Sequence, residues 1–208
     1  MPTLTDRLYD DGDGAEIDPF ALFEEWYAAA QASEPNDPHA MAVASVDDRG
    51  RPDVRMVLLN FRDVRGFCFF TNFGSAKGRQ LLANPAAGMV MHWKSLRRQF
   101  RARGPVEVVA PAEADAYFGS RARGSQIASS ASEQSRPLES RQALEARVVD
   151  LTEALGNDPV PRPRHWSGFR IVPLEMEFWQ DGEFRLHDRI AFRRAAPGEA
   201  WARQRLYP

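Results

Sequence analysis

The sequence predicts a mainly antiparallel β barrel with flanking helices, closed or partly closed, on three observations. Runs of strand composition recur from His39 to the C-terminus, the first of them are joined by turns too short for a crossover, and helical spacing appears only in a few segments between them. Strands alternating regularly with helices would have pointed to a doubly wound parallel sheet instead. No internal repeat or low-complexity tract interrupts the pattern. At 208 residues the chain is long enough to bury a substantial core. A single domain over 18–208 is expected, preceded by a flexible segment over 1–17 that includes the acidic run Asp10-Asp11-Gly12-Asp13-Gly14.

Asp18 before Pro19 is a helix start, and Phe20, Phe23 and Tyr27 give the helix an apolar stripe. Strands are predicted over 39–46, 54–59 and 67–71, divided by turn signals at Asp48-Arg49-Gly50 and Asp63-Val64-Arg65-Gly66. A helix over 75–83, strands over 88–93 and 99–109, and a helix from Pro111 to Phe118 come next. A longer helix over 138–155 carries Leu144, Val148, Leu151 and Leu155 on one face, which core packing explains without a cofactor. Pro159, Pro161 and Pro163 then impose an extended linker. Strands over 169–172, 175–179, 184–192 and 201–206 complete the sheet.

Composition narrows the function. Lys+Arg 27 against Asp+Glu 29 leaves a formal net charge of -2, so there is no basic excess for holding nucleic acid. Cys68 is the single cysteine and sits in the apolar run Phe67-Cys68-Phe69-Phe70, which excludes an internal disulfide and fits a reducing, cytoplasmic setting. No apolar stretch reaches the roughly 18 residues of a membrane helix, and no export signal opens the chain. Phosphate loops, dinucleotide fingerprints, paired metal-binding histidines or cysteines and the Gly-x-Ser-x-Gly elbow are all missing, which leaves a zinc enzyme or nucleophilic hydrolase little support.

Four polar constellations remain. If 184–192 is a strand, Arg185, His187 and Arg189 share one face and Phe184, Leu186 and Ile190 the other, so the cationic row suits an anionic, hydrogen-bonding ligand. A solvated strand face would explain the same pattern. Arg55, Thr71, Ser75 and Lys77 could hold a phosphate at a helix N-terminus, or Ser75 could simply cap the helix beside a solvated lysine. Tyr117 and Arg121, four residues apart, would share a helix face if that helix continues, with Ser125 just beyond. A phenol, a guanidinium and a hydroxyl converging on one phosphate would each contribute on the order of 1.5–3 kcal/mol, although a polar helix end in a surface loop has the same composition. Finally, Gln99, Arg101 and Arg103 share a strand face, either a solvated basic strand or a flavin or nucleic-acid contact.

Taken in order, Arg55-Met56-Val57-Leu58-Leu59, Phe70-Thr71-Asn72, Tyr117-Phe118, Ser125-Gln126-Ile127, Gln134-Ser135-Arg136 and Arg185-Leu186-His187-Asp188-Arg189 resemble the pyridoxine/pyridoxamine 5'-phosphate oxidase family, from about Asp18 to Pro208. The resemblance implies an FMN-binding split barrel working as a homodimer with FMN at the subunit interface. It also implies oxidation of pyridoxamine or pyridoxine 5'-phosphate to pyridoxal 5'-phosphate, with O2 as acceptor and H2O2 as by-product. On it, Arg55, Met56, Val57, Leu58, Phe70, Thr71, Lys77, Gln99, Gln134, Ser135, Trp179 and Arg189 fall at flavin-binding positions, Arg55 and Lys77 serving the flavin phosphate. Tyr117, Arg121 and Ser125 match the cradle for the substrate phosphate, and Arg185 and His187 match catalytic residues over the substrate ring.

The sequence also departs from the family. Asn60 stands where a lysine usually helps grip the substrate phosphate, which implies weaker substrate binding; Ala76 and Phe70 replace a basic residue and a tyrosine near the flavin. Two alternatives stay open: a split-barrel flavin reductase with another substrate, and a flavin- or pyridoxal-phosphate-binding protein without turnover.

Overall fold

The computed structural model describes residues 4–8 and 17–208. A short helix, Leu4–Leu8 (α1), lies against Pro19–Ser33 (α2), where the Thr5 amide donates to Glu25 Oε1 at 3.0 Å and Trp26 Nε1 donates to Thr5 Oγ1 at 2.9 Å. The segment 1–17, expected to be flexible, therefore holds a docked helix with Leu8 buried. Residues 10–14 of the acidic run lie outside the described residues. Helix α2 starts as its sequence indicates: the Asp18 side chain accepts from the Phe20 amide at 3.0 Å, and Pro19 occupies the first turn, where no amide is needed.

Ten strands follow among the described residues, every pairing antiparallel. They are Ala40–Val46 (β1), Pro52–Leu58 (β2), Phe61–Asp63 (β3), Gly66–Asn72 (β4), Ala86–Trp93 (β5), Arg98–Val108 (β6), Trp166–Ile171 (β7), Glu175–Gln180 (β8), Asp188–Arg193 (β9) and Ala202–Leu206 (β10). Helices Ala76–Ala83 (α3), Pro111–Ser120 (α4), Arg123–Ala131 (α5) and Arg141–Leu155 (α6) are inserted between them. The order β10-β9-β8-β6-β5-β1-β2 forms one long run. Strand β6 links it to the second run, because Arg98 to Arg103 pair with β8 while Val106 to Val108 pair with β7, which continues to β4 and β3. At the changeover Gly104 is packed so closely that a Cβ would sit 2.0 Å from the Val172 carbonyl oxygen. The sheet thereby curls into a partly closed barrel.

The core lies inside this curl, capped by α2. Phe23 packs at 4.5 Å from Phe100 and 4.9 Å from Phe67, and Trp26 meets Phe178 edge-on at 5.1 Å. Each such fully buried aromatic stabilises the fold enough that truncation to alanine costs about 3–5 kcal/mol. Strands β4 and β7 are buried on both faces, which explains why Phe67-Cys68-Phe69-Phe70 reads as a continuous apolar run rather than an alternating one.

Two expectations about elements fail. No residue of α6 is buried, so Leu144, Val148, Leu151 and Leu155 are only partly covered and do not pack in the core. The helix docks on the outside against α5, itself unanticipated, and starts at Arg141 because the Ser140 hydroxyl accepts from the Ala143 amide at 3.0 Å. The strand predicted over 184–192 begins only at Asp188. Before it, Glu183–Arg185 is a 3-10 turn in which Phe184 and Arg185 take positive φ of 53° and 65°. The chain doubles back tightly there: a Cβ on Gly182 would lie 2.0 Å from the Leu186 carbonyl oxygen. Phe184 and Leu186 are 91% and 72% exposed, so the proposed apolar face does not exist.

Candidate active site

Strand β3 pairs with only the first residues of β4, leaving residues 69–72 of β4 facing β2 across an unzipped seam of the barrel. A cleft of about 500 Å3 opens there. Its β2 wall is Met56, Val57 and Leu58, its β4 wall Phe70, Thr71 and Asn72, and helices α3, α4 and α5 close it with Lys77, Tyr117, Arg121 and Ser125. Asn60 and Gln134 complete the wall among the residues anticipated from sequence.

One end of the cleft is built around α3. Ser75 is fully buried and accepts from the Gly78 amide at 3.1 Å, so it serves as an ordinary cap. Lys77 Nζ donates to Gln134 Oε1 at 3.0 Å, and Thr71 Oγ1 reaches the same oxygen at 3.3 Å. Burial lowers the Lys77 pKa and neighbouring Arg55 lowers it further, with Asp53 acting in the opposite sense. Among the described residues no carboxylate pairs with Lys77, which leaves a half-buried ammonium short of a counter-ion. Arg55 itself does not line the cleft. Its guanidinium donates to Val43 O, Ser45 Oγ and Gln80 Oε1 and pairs with Asp53 at 2.5 Å.

The other cluster uses two helices where one was expected. Helix α4 ends at Ser120, Arg121 lies in the turn, and α5 starts at Arg123, so Tyr117, Arg121 and Ser125 converge across a helix break. The buried Gln126 amide holds that break by donating to the carbonyls of Phe118, Gly119 and Arg121 at 2.9, 3.2 and 3.0 Å. Arg121 stacks 5.0 Å over the Trp166 ring and donates to Ser129 Oγ at 2.8 Å. Burial pushes its pKa down, but a guanidinium stays protonated. Tyr117 is fixed by rings, with Phe70 at 4.3 Å and Phe61 at 5.2 Å. Helix α4 is in turn anchored by buried Arg170, which pairs with Glu113 and with Asp63, each at 3.0 Å.

Sequence reasoning missed Ala128, Ser129 and Ser132 of the lining and, more consequentially, Trp166. It stacks on Phe70 at 5.2 Å and carries Arg121 on its face. The only signal for it was an aromatic following the proline linker, which by itself says nothing about a partner across the barrel.

The remaining anticipated residues lie elsewhere on the chain. Gln99, Trp179 and Arg189 are direct neighbours across β6, β8 and β9 and form one row. His187 packs 4.7 Å from Trp179, its Nδ1 accepting from the Gly182 amide at 3.1 Å and lying 3.0 Å from Asp181 Oδ1. Arg189 is held by Glu177 and donates to the Tyr207 carbonyl at 3.0 Å, while Arg185 is exposed. Ser135, with φ of 70°, lies in the loop after α5. None of Gln99, Ser135, Trp179, Arg185, His187 and Arg189 lines the cleft of the same chain. The strand alternation invoked for Arg185, His187 and Arg189 is replaced by the turn after Asp181-Gly182, a dipeptide whose turn propensity was the stronger signal.

Arg101 and Arg103 of the basic row on β6 are ion-paired. Glu177, 2% exposed, pairs with Arg101 at 2.6 Å and Arg189 at 3.0 Å, and Glu175 pairs with Arg103 at 3.0 Å and Arg193 at 2.8 Å. Arg101 and Arg103 are thus engaged with carboxylates on the sheet surface rather than presented as an unpaired basic row. Among the described residues there is no metal-ligating cluster and no helix long and apolar enough to cross a membrane.

Comparison with known proteins agrees with this architecture. Residues 28–153 match the pyridoxamine 5'-phosphate oxidase family, and residues 166–208 match the pyridoxine 5'-phosphate oxidase C-terminal dimerisation region, which supports a homodimer. A Rhizobium etli protein named pyridoxine/pyridoxamine 5'-phosphate oxidase is 60% identical over 191 residues, 92% of this chain and 93% of its own length. The crystal structure of PhzG from Burkholderia lata 383 in complex with tetrahydrophenazine-1-carboxylic acid superposes with a TM-score of 0.87 at 34% identity, covering 96% of each chain. A Nostoc punctiforme structure described as a pyridoxamine 5'-phosphate oxidase-related, FMN binding protein shares the fold with a TM-score of 0.75 at 16% identity, over 93% of this chain and all of that one. With a family match across most of its length and a split barrel whose seam carries the cleft, this chain belongs to the pyridoxamine 5'-phosphate oxidase family.

Proposed function

We propose that this chain, as an FMN-bearing homodimer, oxidises pyridoxamine and pyridoxine 5'-phosphates to pyridoxal 5'-phosphate, with O2 as acceptor and H2O2 as by-product, water displacing the nitrogen of the amine substrate as ammonia. The observation that carries the reading is a cleft with two cations, Lys77 on α3 and Arg121 in the turn between α4 and α5, neither paired with a carboxylate among the described residues. Two separate unpaired cations suit two phosphates, one on the flavin and one on the substrate.

FMN fits the α3 end. An ammonium whose pKa is depressed by burial and by Arg55 is stabilised by an anion, and Thr71, Gln134 and Arg55 lie beside it. When bound, FMN supplies the acceptor for the hydride equivalent leaving C4' of the substrate. Arg121, Tyr117 and Ser125 would hold the ester phosphate, and anchoring that remote group fixes the reacting carbon and lowers the entropic part of the barrel-bound reaction's barrier. The row Gln99, Trp179 and Arg189, with Arg185 and His187, would complete the site from a second copy. All but Gln99 lie in the stretch matching the dimerisation region and none lines its own chain's cleft. In that arrangement Arg185 orients the pyridine ring and His187 manages the proton lost with the hydride.

The test is anaerobic. Pyridoxamine 5'-phosphate added to the yellow protein without air should bleach the flavin absorbance, and admitting air should restore it with release of H2O2. A protein that binds no FMN, or whose flavin is not reduced, would overturn the assignment.

A further inference from the structure

Asn60 follows β2 and precedes β3, at the point where main-chain pairing with β4 stops. Its amide still donates to the Cys68 carbonyl at 2.9 Å, and its side chain then takes over from the backbone: Oδ1 accepts from the Phe70 amide at 3.2 Å. This contact settles the orientation of the side-chain amide, because a backbone N–H bonds only to the oxygen end. The nitrogen end therefore faces away from β4, and Nδ2 donates to the Tyr117 hydroxyl at 2.6 Å.

A phenol has one proton to give. With a lone pair already receiving from Asn60, the Tyr117 oxygen is an acceptor on that side, and among the described residues nothing accepts its proton. The ring cannot swing to find another partner, since Phe70 and Phe61 pack on it at 4.3 and 5.2 Å. Asn60, Tyr117, Arg121 and Ser125 all line the same cleft.

The geometry points to Asn60 as a positioning residue that sets the direction of a hydrogen-bond relay, from the Phe70 amide through Asn60 to Tyr117, so that the Tyr117 proton is presented to the anionic end of the substrate ester. Asn60 thus replaces a charge by direction: a neutral amide polarises the phenol and holds its proton toward the cleft. The inference rests on the placement of the substrate phosphate against Tyr117, Arg121 and Ser125. It differs from the weaker binding expected from charge alone, because it gives Asn60 an action that exists only through Tyr117.

A double-mutant cycle on the flavin-loaded enzyme tests it, reading the KM for pyridoxamine 5'-phosphate, kcat and the dissociation constant of pyridoxal 5'-phosphate. Asn60→Ala is expected to raise KM and the dissociation constant about three- to tenfold with kcat changed less, and to have no further effect once Tyr117→Phe is present. Unphosphorylated pyridoxamine should be insensitive to Asn60→Ala. If Tyr117→Phe raises KM but Asn60→Ala acts equally in both backgrounds, the relay is overturned while the phosphate placement stands. If neither Tyr117→Phe nor Arg121→Ala alters KM, the phosphate placement itself fails and takes the relay with it. Should Asn60→Ala not fold, Asn60→Asp keeps the acceptor for Phe70 but takes the Tyr117 proton for itself; a wild-type KM in that variant would also overturn the relay.

Discussion

Removing the Arg121 guanidinium should separate phosphate recognition from the rest of catalysis. In the cradle formed with Tyr117 and Ser125 it is the only formally charged side chain, and it is already in position without a ligand, stacked 5.0 Å over Trp166 and bonded to Ser129 at 2.8 Å. Little side-chain ordering remains to be done on binding, so most of a charge-assisted hydrogen bond, about 1.5–3 kcal/mol, is realised as affinity. That corresponds to roughly 10- to 150-fold in KM for Arg121→Ala, with the preformed stack favouring the upper half. Arg121→Lys keeps the charge but loses the planar fork and the stack, and should fall between wild type and alanine. The assay is steady-state oxidation of pyridoxamine 5'-phosphate beside unphosphorylated pyridoxamine, on protein of verified flavin content. The phosphorylated substrate should lose its advantage while the unphosphorylated one changes little. A KM for pyridoxamine 5'-phosphate within about threefold of wild type in Arg121→Ala would refute the reasoning, since loss of an uncompensated charge cannot cost so little.

At the other end of the cleft, Lys77→Met should weaken FMN binding about 10- to 100-fold, measured by quenching of flavin fluorescence, while leaving the melting temperature of the flavin-free protein nearly unchanged. Glu177 offers a pH prediction. Burial raises its pKa, but the hydrogen bonds from Arg189 and Arg101 outweigh this and hold it below the ordinary carboxylate value. Its stabilising contribution is therefore complete above about pH 4.3 and is lost as pH falls through the depressed folded value. Glu177→Gln should cost about 2–3 kcal/mol at pH 7, less than a fully buried pair because Arg101 remains half exposed, and the gap from wild type in urea melts should close in acid. A gap that widened on acidification would reverse the assigned sign. Burial also pushes the Cys68 thiol up to about 11, so it should ignore a thiol reagent at pH 8 in the native protein and react promptly in denaturant.

Most secondary structure was legible because it is local. Asp18-Pro19 capped its helix, the short turn at 48–50 closed its hairpin, and Phe67-Cys68-Phe69-Phe70 lay in a strand buried on both faces, although the turn at 63–66 joins that strand to the unanticipated β3 rather than to 54–59. The failures came where local pattern competes with something non-local. Spacing alone put Leu144, Val148, Leu151 and Leu155 in a core, but burial depends on what faces the helix, and α6 packs on α5 and the loop after it without burying any of its residues. Alternation alone made a strand of 184–192, but a period of two across five residues cannot outweigh a glycine turn that brings Leu186 against Gly182.

By itself the sequence determined the antiparallel class, offered Tyr117, Arg121, Ser125 and Lys77 as candidate anion ligands, and through family resemblance indicated the reaction class. Each of these follows from residue type and neighbours close in the chain. Only the tertiary structure decided that the barrel is open between β2 and β4, and that Glu177 and Glu175 pair with Arg101 and Arg103 of β6. It also decided that Trp166 carries Arg121, that Asn60 spans from Phe70 to Tyr117, and that Trp179, Arg185, His187 and Arg189 lie away from their own chain's cleft. Those contacts join residues tens of positions apart, and their existence depends on how the sheet curls, which no stretch of sequence short enough to show a pattern contains.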